Sequence, residues 1–165
     1  MFDTLAQAHQ VIEESFAANM VEIVAGALRP AMVFSAKSDD KLGGSRIGGT
    51  PDLPKVIEWP QRPVPNNIDE IAQRAGEPLD ADLRQHLAAG LPYAFIAQVN
   101  LTEAAGLGDV AKPLPDAGRL LFFYDLIVGP FDTGVQSAKV IWDRSPAEAL
   151  AHAAMPDSLV TAASA

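Results

Sequence analysis

Residues 41–54 constrain the fold more than any other part of the chain. This stretch, from Lys41 to Pro54, contains four glycines and two prolines, and Trp59 and Pro60 follow shortly after it. Glycine reaches positive φ at little cost, whereas proline fixes φ at about −65° and removes a backbone donor. Restrictions of such opposite kinds exclude a helix or a central strand. They predict one fixed irregular path that packs under Trp59.

Composition indicates an ordinary globular chain with an acidic surface. Hydrophobic residues make up 48% of the 165 residues and charged residues 20%, so a sizeable core can form without metals or disulfides. The formal net charge is −9, which repels phosphate backbones and anionic lipid surfaces. We therefore expect neither nucleic acid nor a membrane as a partner.

The absence of cysteine excludes disulfides, thiolate metal sites and cysteine nucleophiles together. It is typical of a cytoplasmic protein. The N-terminal region is acidic, unlike a secretory signal, and the longest uncharged run, 85–102, is interrupted by Gly90. These features predict a cytoplasmic location.

Helical periodicity is strongest at the N-terminus. Apolar residues recur at three- and four-residue steps from Phe2 to Ala27, which predicts a long amphipathic helix over 3–28, with a break considered near Asn19 or Gly26. A capping pattern at Asn67 and a second helix start at Asp80 predict a pair of helices within 61–90.

The remaining elements are predicted to be strands and one last helix. Strands are expected near 31–36, 93–101, 119–125 and 137–142, in a mostly antiparallel sheet. In 93–101, strict alternation places Phe95 and Gln98 on opposite faces. Ser145 to Glu148 reads as a helix start, and residues 158–165 as a flexible tail. The prediction is a single α+β domain over 1–157.

The ordered set of motifs resembles the YwqG-like family of uncharacterised bacterial proteins. The resemblance rests on four segments: 45–54 followed by Trp59-Pro60, 95–101, 114–123 and 139–142. It implies an α+β fold and no established activity, cofactor or catalytic residue. The stretch 61–90 is longer than the resemblance leads us to expect between these motifs, so its two helices are interpreted as an inserted helical pair. Members usually continue into a second half, so the chain is interpreted as a short form or a fragment whose sheet has an open edge. Such an edge favours pairing with another chain.

The glycine-rich loop does not match the motifs of common catalytic sites. A phosphate-binding loop needs Lys where this chain has Gly49, and it needs a helix where Pro51 follows. A nucleophile elbow around Ser45 fails at Ile47. The histidines are isolated in sequence, at positions 9, 86 and 152, so we predict no metal site, no cofactor and no catalytic residue. A looser anion-binding nest around Arg46 stays open.

Two polar residues on apolar strands stand out. Gln98 follows apolar residues on a strand that should be buried, and a buried amide needs hydrogen-bond partners. We expect Gln98 or Asn100 to hold the glycine loop on the sheet, or alternatively Gln98 to contact a ligand between them. Asp125, at the end of another apolar strand, is expected to serve a turn.

Two functions follow as hypotheses. The first is a non-catalytic cytoplasmic interaction or ligand-binding protein, with a protein partner or a homodimer formed through the open sheet edge or the N-terminal helix. The alternative is a small-molecule binder or enzyme that uses the Gly43–Thr50 loop, with Arg46 holding an anionic group. A third possibility is an accessory protein of a toxin or secretion locus. The candidate ligand-binding residues are Ser45, Arg46, Gly48, Gly49 and Gln98.

Overall fold

The computed structural model describes residue 2 and residues 4–35, 40–132 and 134–163. Contacts along the chain divide it into two units, residues 1–33 and 34–165. Helices and antiparallel sheets occur together, which confirms the predicted α+β class.

The first unit contains two helices, α1 (Leu5–Ser15) and α2 (Ala18–Gly26). The Oγ1 atom of Thr4 accepts a hydrogen bond from the amide of Gln7 and so caps α1. Phe16 and Ala17 are extended, and they separate the two helices. The helix predicted over 3–28 is therefore not continuous, and it breaks at Phe16 and Ala17, close to Asn19, where a break was considered. Residue 3 lies outside the described residues.

The second unit is built from short strands and helices. Its helices are α3 (Ile68–Ala75), α4 (Asp80–Ala89), α5 (Leu101–Ala105) and α6 (Asp157–Ala163). Its strands are β1 (Arg46–Ile47), β2 (Asp52–Pro54), β3 (Ala94–Asn100), β4 (Arg119–Tyr124), β5 (Ala138–Asp143) and β6 (Leu150–His152). The strand predicted over 31–36 is wrong, because residues 31–35 are irregular; residue 36 lies outside the described part of the chain.

Four antiparallel strands form the main sheet in the order β1-β3-β4-β5. The predicted central position of β4 is confirmed, since it pairs on both sides. One face of the sheet forms a core in which Phe95 and Phe123 stack edge-on at 5.5 Å between ring centroids. Trp59 packs on Phe123 and donates a hydrogen bond to the carbonyl of Tyr93. Trp59 thus belongs to this core. The glycine loop, which was expected to pack under Trp59, is held on the sheet by polar contacts instead.

A bulge in β3 corrects the predicted alternation of that strand. Phe95 pairs with Phe123 and Ala97 with Phe122, so Ile96 is an extra residue without a partner in β4. A bulge shifts the following side chains to the other face. Phe95 and Gln98 are consequently both buried, whereas strict alternation predicts that they face opposite ways.

The inserted helical pair is present as predicted within 61–90. Gly76 and Gly90 end α3 and α4, and Gly90 has the left-handed conformation of a helix-terminating glycine. A bridge between Gln61 and Pro92 closes the base of the insertion. Apolar side chains of both helices form a second core with Val128.

The C-terminal region differs from the prediction. Only a short 3₁₀ turn, Ala147–Ala149, forms where a helix was expected, and β6 follows it. This strand pairs antiparallel with β2, with Asp52 opposite His152 and Pro54 opposite Leu150. Burial of Leu150 favours the strand over the local helix signal. Helix α6 occupies most of the segment predicted as a flexible tail, and residues 164 and 165 lie outside the described residues.

Candidate functional site

The glycine loop follows one fixed path, as its composition predicts. Gly43, Gly48 and Gly49 have φ values of 77°, 73° and 70°, a region that other residues enter only with strain. Between them β1 pairs with β3, and the amide of Gly48 donates to the carbonyl of Ile96 at 2.8 Å. The loop is therefore attached to the sheet by its backbone as well as by the side chains of Gln98 and Asn100.

Asp52 is the centre of the contacts beneath this loop. Its carboxylate is fully buried, and Oδ2 accepts hydrogen bonds from the amide of Gly43 at 2.6 Å, Nε2 of Gln98 at 2.7 Å and Nη2 of Arg46 at 2.9 Å. Three donors on one oxygen stabilise a buried negative charge. The sequence analysis missed Asp52, although an acid between two prolines in an apolar segment was a usable signal.

Gln98 and Asn100 hold the loop on the sheet, as predicted. Oε1 of Gln98 accepts from the amide of Asp52 at 2.9 Å, and Nε2 donates to the carbonyl of Gly44 at 2.7 Å. Nδ2 of Asn100 donates to the carbonyl of Gly43 at 2.8 Å. The space beside Gln98 is thus occupied by the protein's own backbone.

Arg46 is paired with carboxylates of its own chain. Nη2 lies 2.9 Å from both Asp52 Oδ2 and Asp40 Oδ1, and Nη1 donates to the carbonyl of Thr50 at 3.3 Å. The guanidinium is mostly buried. An external anion at this position would have to compete with two carboxylates that are already present.

His152 reaches the same cluster from β6. Its Nδ1 lies 2.7 Å from Asp52 Oδ1, close enough for an ion pair but not aligned for a hydrogen bond. The ring is half-exposed beside a buried carboxylate, but it lacks the aligned hydrogen bond with which a carboxylate orients a histidine for proton transfer. The hydroxyl of Ser45, however, donates a hydrogen bond to Glu103 Oε2 at 2.6 Å and not to His152.

Sequence spacing gave no signal for the contact between His152 and Asp52, because pairing of β2 with β6 brings these two residues together. We call Asp52, Arg46, Gln98 and His152 the Asp52 cluster.

A second group of charged side chains joins the inserted helices to the sheet. Arg62 is buried and donates to Asp125 Oδ2 at 2.9 Å and to Asp132 Oδ2 at 2.6 Å. His86 on α4 places Nε2 3.1 Å from Asp125 Oδ2. We call these four residues the Arg62 cluster.

Asp125 has the turn role that its position predicts. Its Oδ1 accepts hydrogen bonds from the amides of Ile127 and Val128, each at 3.0 Å. Burial raises the pKa of Asp125, but hydrogen bonds from His86, the Val128 backbone and Arg62 outweigh burial and hold the pKa well below its ordinary value. The carboxylate therefore stays charged within this clamp.

The other face of the main sheet is an apolar surface. Apolar side chains lie in register across the four strands, and Tyr124 lies on the same face at the end of β4. The apolar side chains are Ile47, Ala97, Val99, Leu120, Phe122, Val140 and Trp142. We call this set the outer face. Ile47, Val140 and Trp142 are 64%, 53% and 50% exposed. Strand β5 forms one edge of the sheet beside these residues.

Other features of the described residues give no further candidate site. Two surface cavities, of about 180 and 270 Å³, are lined by residues other than those of the Gly43–Thr50 loop. No group of three or more His, Asp or Glu side chains within the described ranges could hold a metal ion. Among those same residues, no helix has the length and apolar character needed to cross a membrane.

Comparison with known proteins gives a family but no activity. The family model described as a domain of unknown function, DUF1963, matches residues 45–163, which include most of the glycine loop, both sheets and helices α3 and α4. No curated protein and no solved structure matched the chain.

Proposed function

Since this chain belongs to the DUF1963 family, whose description assigns no function, we propose from its own geometry that it is a non-catalytic interaction protein. The partner is a protein, and the outer face of the main sheet is its binding surface. We also propose that the chain is a YwqG-like member that acts in the bacterial cytoplasm, which the motif resemblance and the lack of cysteine support.

The outer face is the observation that carries this proposal. Isolated apolar residues are common on protein surfaces, whereas contiguous apolar patches mark interaction sites. Here Val140 and Trp142 stand half-exposed on an edge strand beside Leu120 and Phe122. Aromatic residues of this kind are enriched in protein interfaces. The N-terminal helices also expose apolar side chains, among them Leu5 and Ile23. These helices are the second surface that we propose for partner binding.

A small-molecule site at the Gly43–Thr50 loop has less support. Arg46 is already paired with Asp52 and Asp40, Ser45 with Glu103, and Gln98 fills the space between loop and sheet. The half-exposed ring of His152 is the one observation that favours chemistry there. Binding of an anionic ligand to the parent but not to Arg46→Ala would support this alternative.

A charge on the outer face should abolish partner binding. We expect immobilised parent protein to retain a partner from an extract of its own cells, and Val140→Lys to retain it at least tenfold less, about 1.4 kcal/mol of binding free energy. Lysine at this position places a charge within the apolar contact. Quantitative mass spectrometry of the eluted proteins measures the difference.

Val56→Lys is the matched control, because Val56 is 89% exposed and lies in the turn after β2, outside the outer face. It should retain the partner as the parent does. Equal retention by Val140→Lys and the parent, with both variants folded by thermal unfolding, would refute the proposed surface.

A further inference from the structure

We propose that β5 binds an extended peptide segment in which apolar and acidic residues alternate, added to the sheet as a fifth strand. This inference rests on the proposed interaction function and names the class of partner. It follows from the open edge of the sheet, from the side chains of β5 and from the charges beside it.

The edge of β5 can accept a strand. β5 is six residues long and pairs with β4 on one side, and within the described residues no strand pairs with its other side. The unpaired amides and carbonyls along such an edge form hydrogen bonds with an added extended chain. Binding by strand addition therefore requires no rearrangement of the sheet.

The side chains of β5 specify one apolar face for that peptide. Val140 and Trp142 lie on the outer face, so they would lie beside every second residue of an added strand. An apolar residue at those positions of the peptide would cover surface that is now half-exposed. The residues between them are free to carry charge.

The peptide residues between the apolar positions would lie beside Lys139, on the opposite side of β5 from the outer face, and this lysine favours acidic residues there. Lys139 and Arg144 are exposed, and the guanidinium of Arg144 lies 5.3 Å from the ring centroid of Trp142. The acid in this segment, Asp143, is buried and paired with Arg119. The edge is therefore locally positive in a chain whose formal net charge is −9.

Net charge disfavours a second copy as the occupant. The net charge of −9 on each copy causes repulsion between the two proteins. A short peptide carries far less charge than a second copy, and its acidic residues would lie beside Lys139.

Two synthetic peptides test the inference, one alternating Val with Glu and the other Val with Lys. The parent should bind the Glu peptide at least tenfold more tightly than the Lys peptide. Amides of residues 138–143 should exchange more slowly when the Glu peptide is bound, as NMR of the labelled protein would show. The double variant Lys139→Glu/Arg144→Glu should reverse the preference.

The control variant is Lys55→Glu, an exposed lysine outside β5 that should leave the preference unchanged. Equal affinity for the two peptides, or binding without protection of 138–143, would overturn the inference. Dimerisation of the parent with protection of 138–143 and no peptide present would also overturn it, because a second copy would then be the occupant. If the peptides fail but Val140→Lys still loses the cellular partner, the inference is wrong and the proposed function stands.

Discussion

Gln98→Ala should destabilise the protein by about 3 kcal/mol or more, since a buried group left without its partner costs about 1–3 kcal/mol and several lose one here. The amide of Asp52 and the carbonyl of Gly44 would each lose a hydrogen bond, and the Asp52 carboxylate would lose one of its three donors. Alanine also leaves an empty space in a fully buried position. Denaturant unfolding monitored by circular dichroism measures the loss.

Gln73→Ala provides the matched control. Gln73 is exposed on α3, where alanine is as good a helix former, so its unfolding free energy should stay close to that of the parent. If Gln98→Ala also unfolds with the parent's midpoint, the side chain does not hold the loop on the sheet.

Arg62→Met should cost about 3–5 kcal/mol, the range for removing one partner of a buried ion pair. Asp125 and Asp132 would keep their charges without the guanidinium that neutralises them. Methionine preserves much of the side-chain volume, so the loss would reflect the charge more than a cavity. Denaturant unfolding at neutral pH gives the free energy.

The acid dependence of the same variant provides a second readout. The pKa of Asp125 in the folded protein is below its ordinary value of 3.8, so its stabilisation is present above that value and is lost as the pH falls through the folded pKa. Without Arg62 this pKa is less depressed, and acid unfolding should begin at a higher pH than in the parent.

Arg84→Met is the control for this experiment. Arg84 pairs with Asp69 on the surface, where Asp69 is exposed and Arg84 partly exposed, and such pairs contribute about 0–1 kcal/mol. A similar loss of unfolding free energy in Arg84→Met and Arg62→Met would show that burial of the Arg62 cluster adds nothing to stability.

Local sequence signals predict the parts of the fold that local chemistry decides. Paired glycines predict the positive φ values of Gly48 and Gly49, and Gly76 and Gly90 predict where α3 and α4 end. The position of Gln98 on an apolar strand predicts that it needs partners, and the glycine loop supplies them.

The errors occur where distant residues decide the structure. The bulge at Ile96 depends on the register between β3 and β4, which alternation within one strand does not reveal. The contact between His152 and Asp52 depends on pairing of β2 with β6, about a hundred residues apart. The same pairing replaces the helix that Ser145 and Pro146 signal locally.

The two faces of the main sheet carry side chains of different kinds. The face that carries Phe95 and Phe123 also carries Gln98 of the Asp52 cluster. Most polar groups of this cluster form hydrogen bonds or ion pairs with one another and with the loop. The outer face carries apolar side chains that contact solvent at Val140 and Trp142. We infer that the glycine loop maintains the fold and that the sheet surface binds the partner.

Hydrogen–deuterium exchange, measured on the protein alone and on its complex with the retained cellular partner, compares these two roles in one experiment. We predict slower exchange at residues 119–124 and 138–143 on binding, with residues 43–45 and 150–152 unchanged. Slower exchange confined to 43–45 and 150–152 would contradict this assignment and place the binding site at Arg46 and His152.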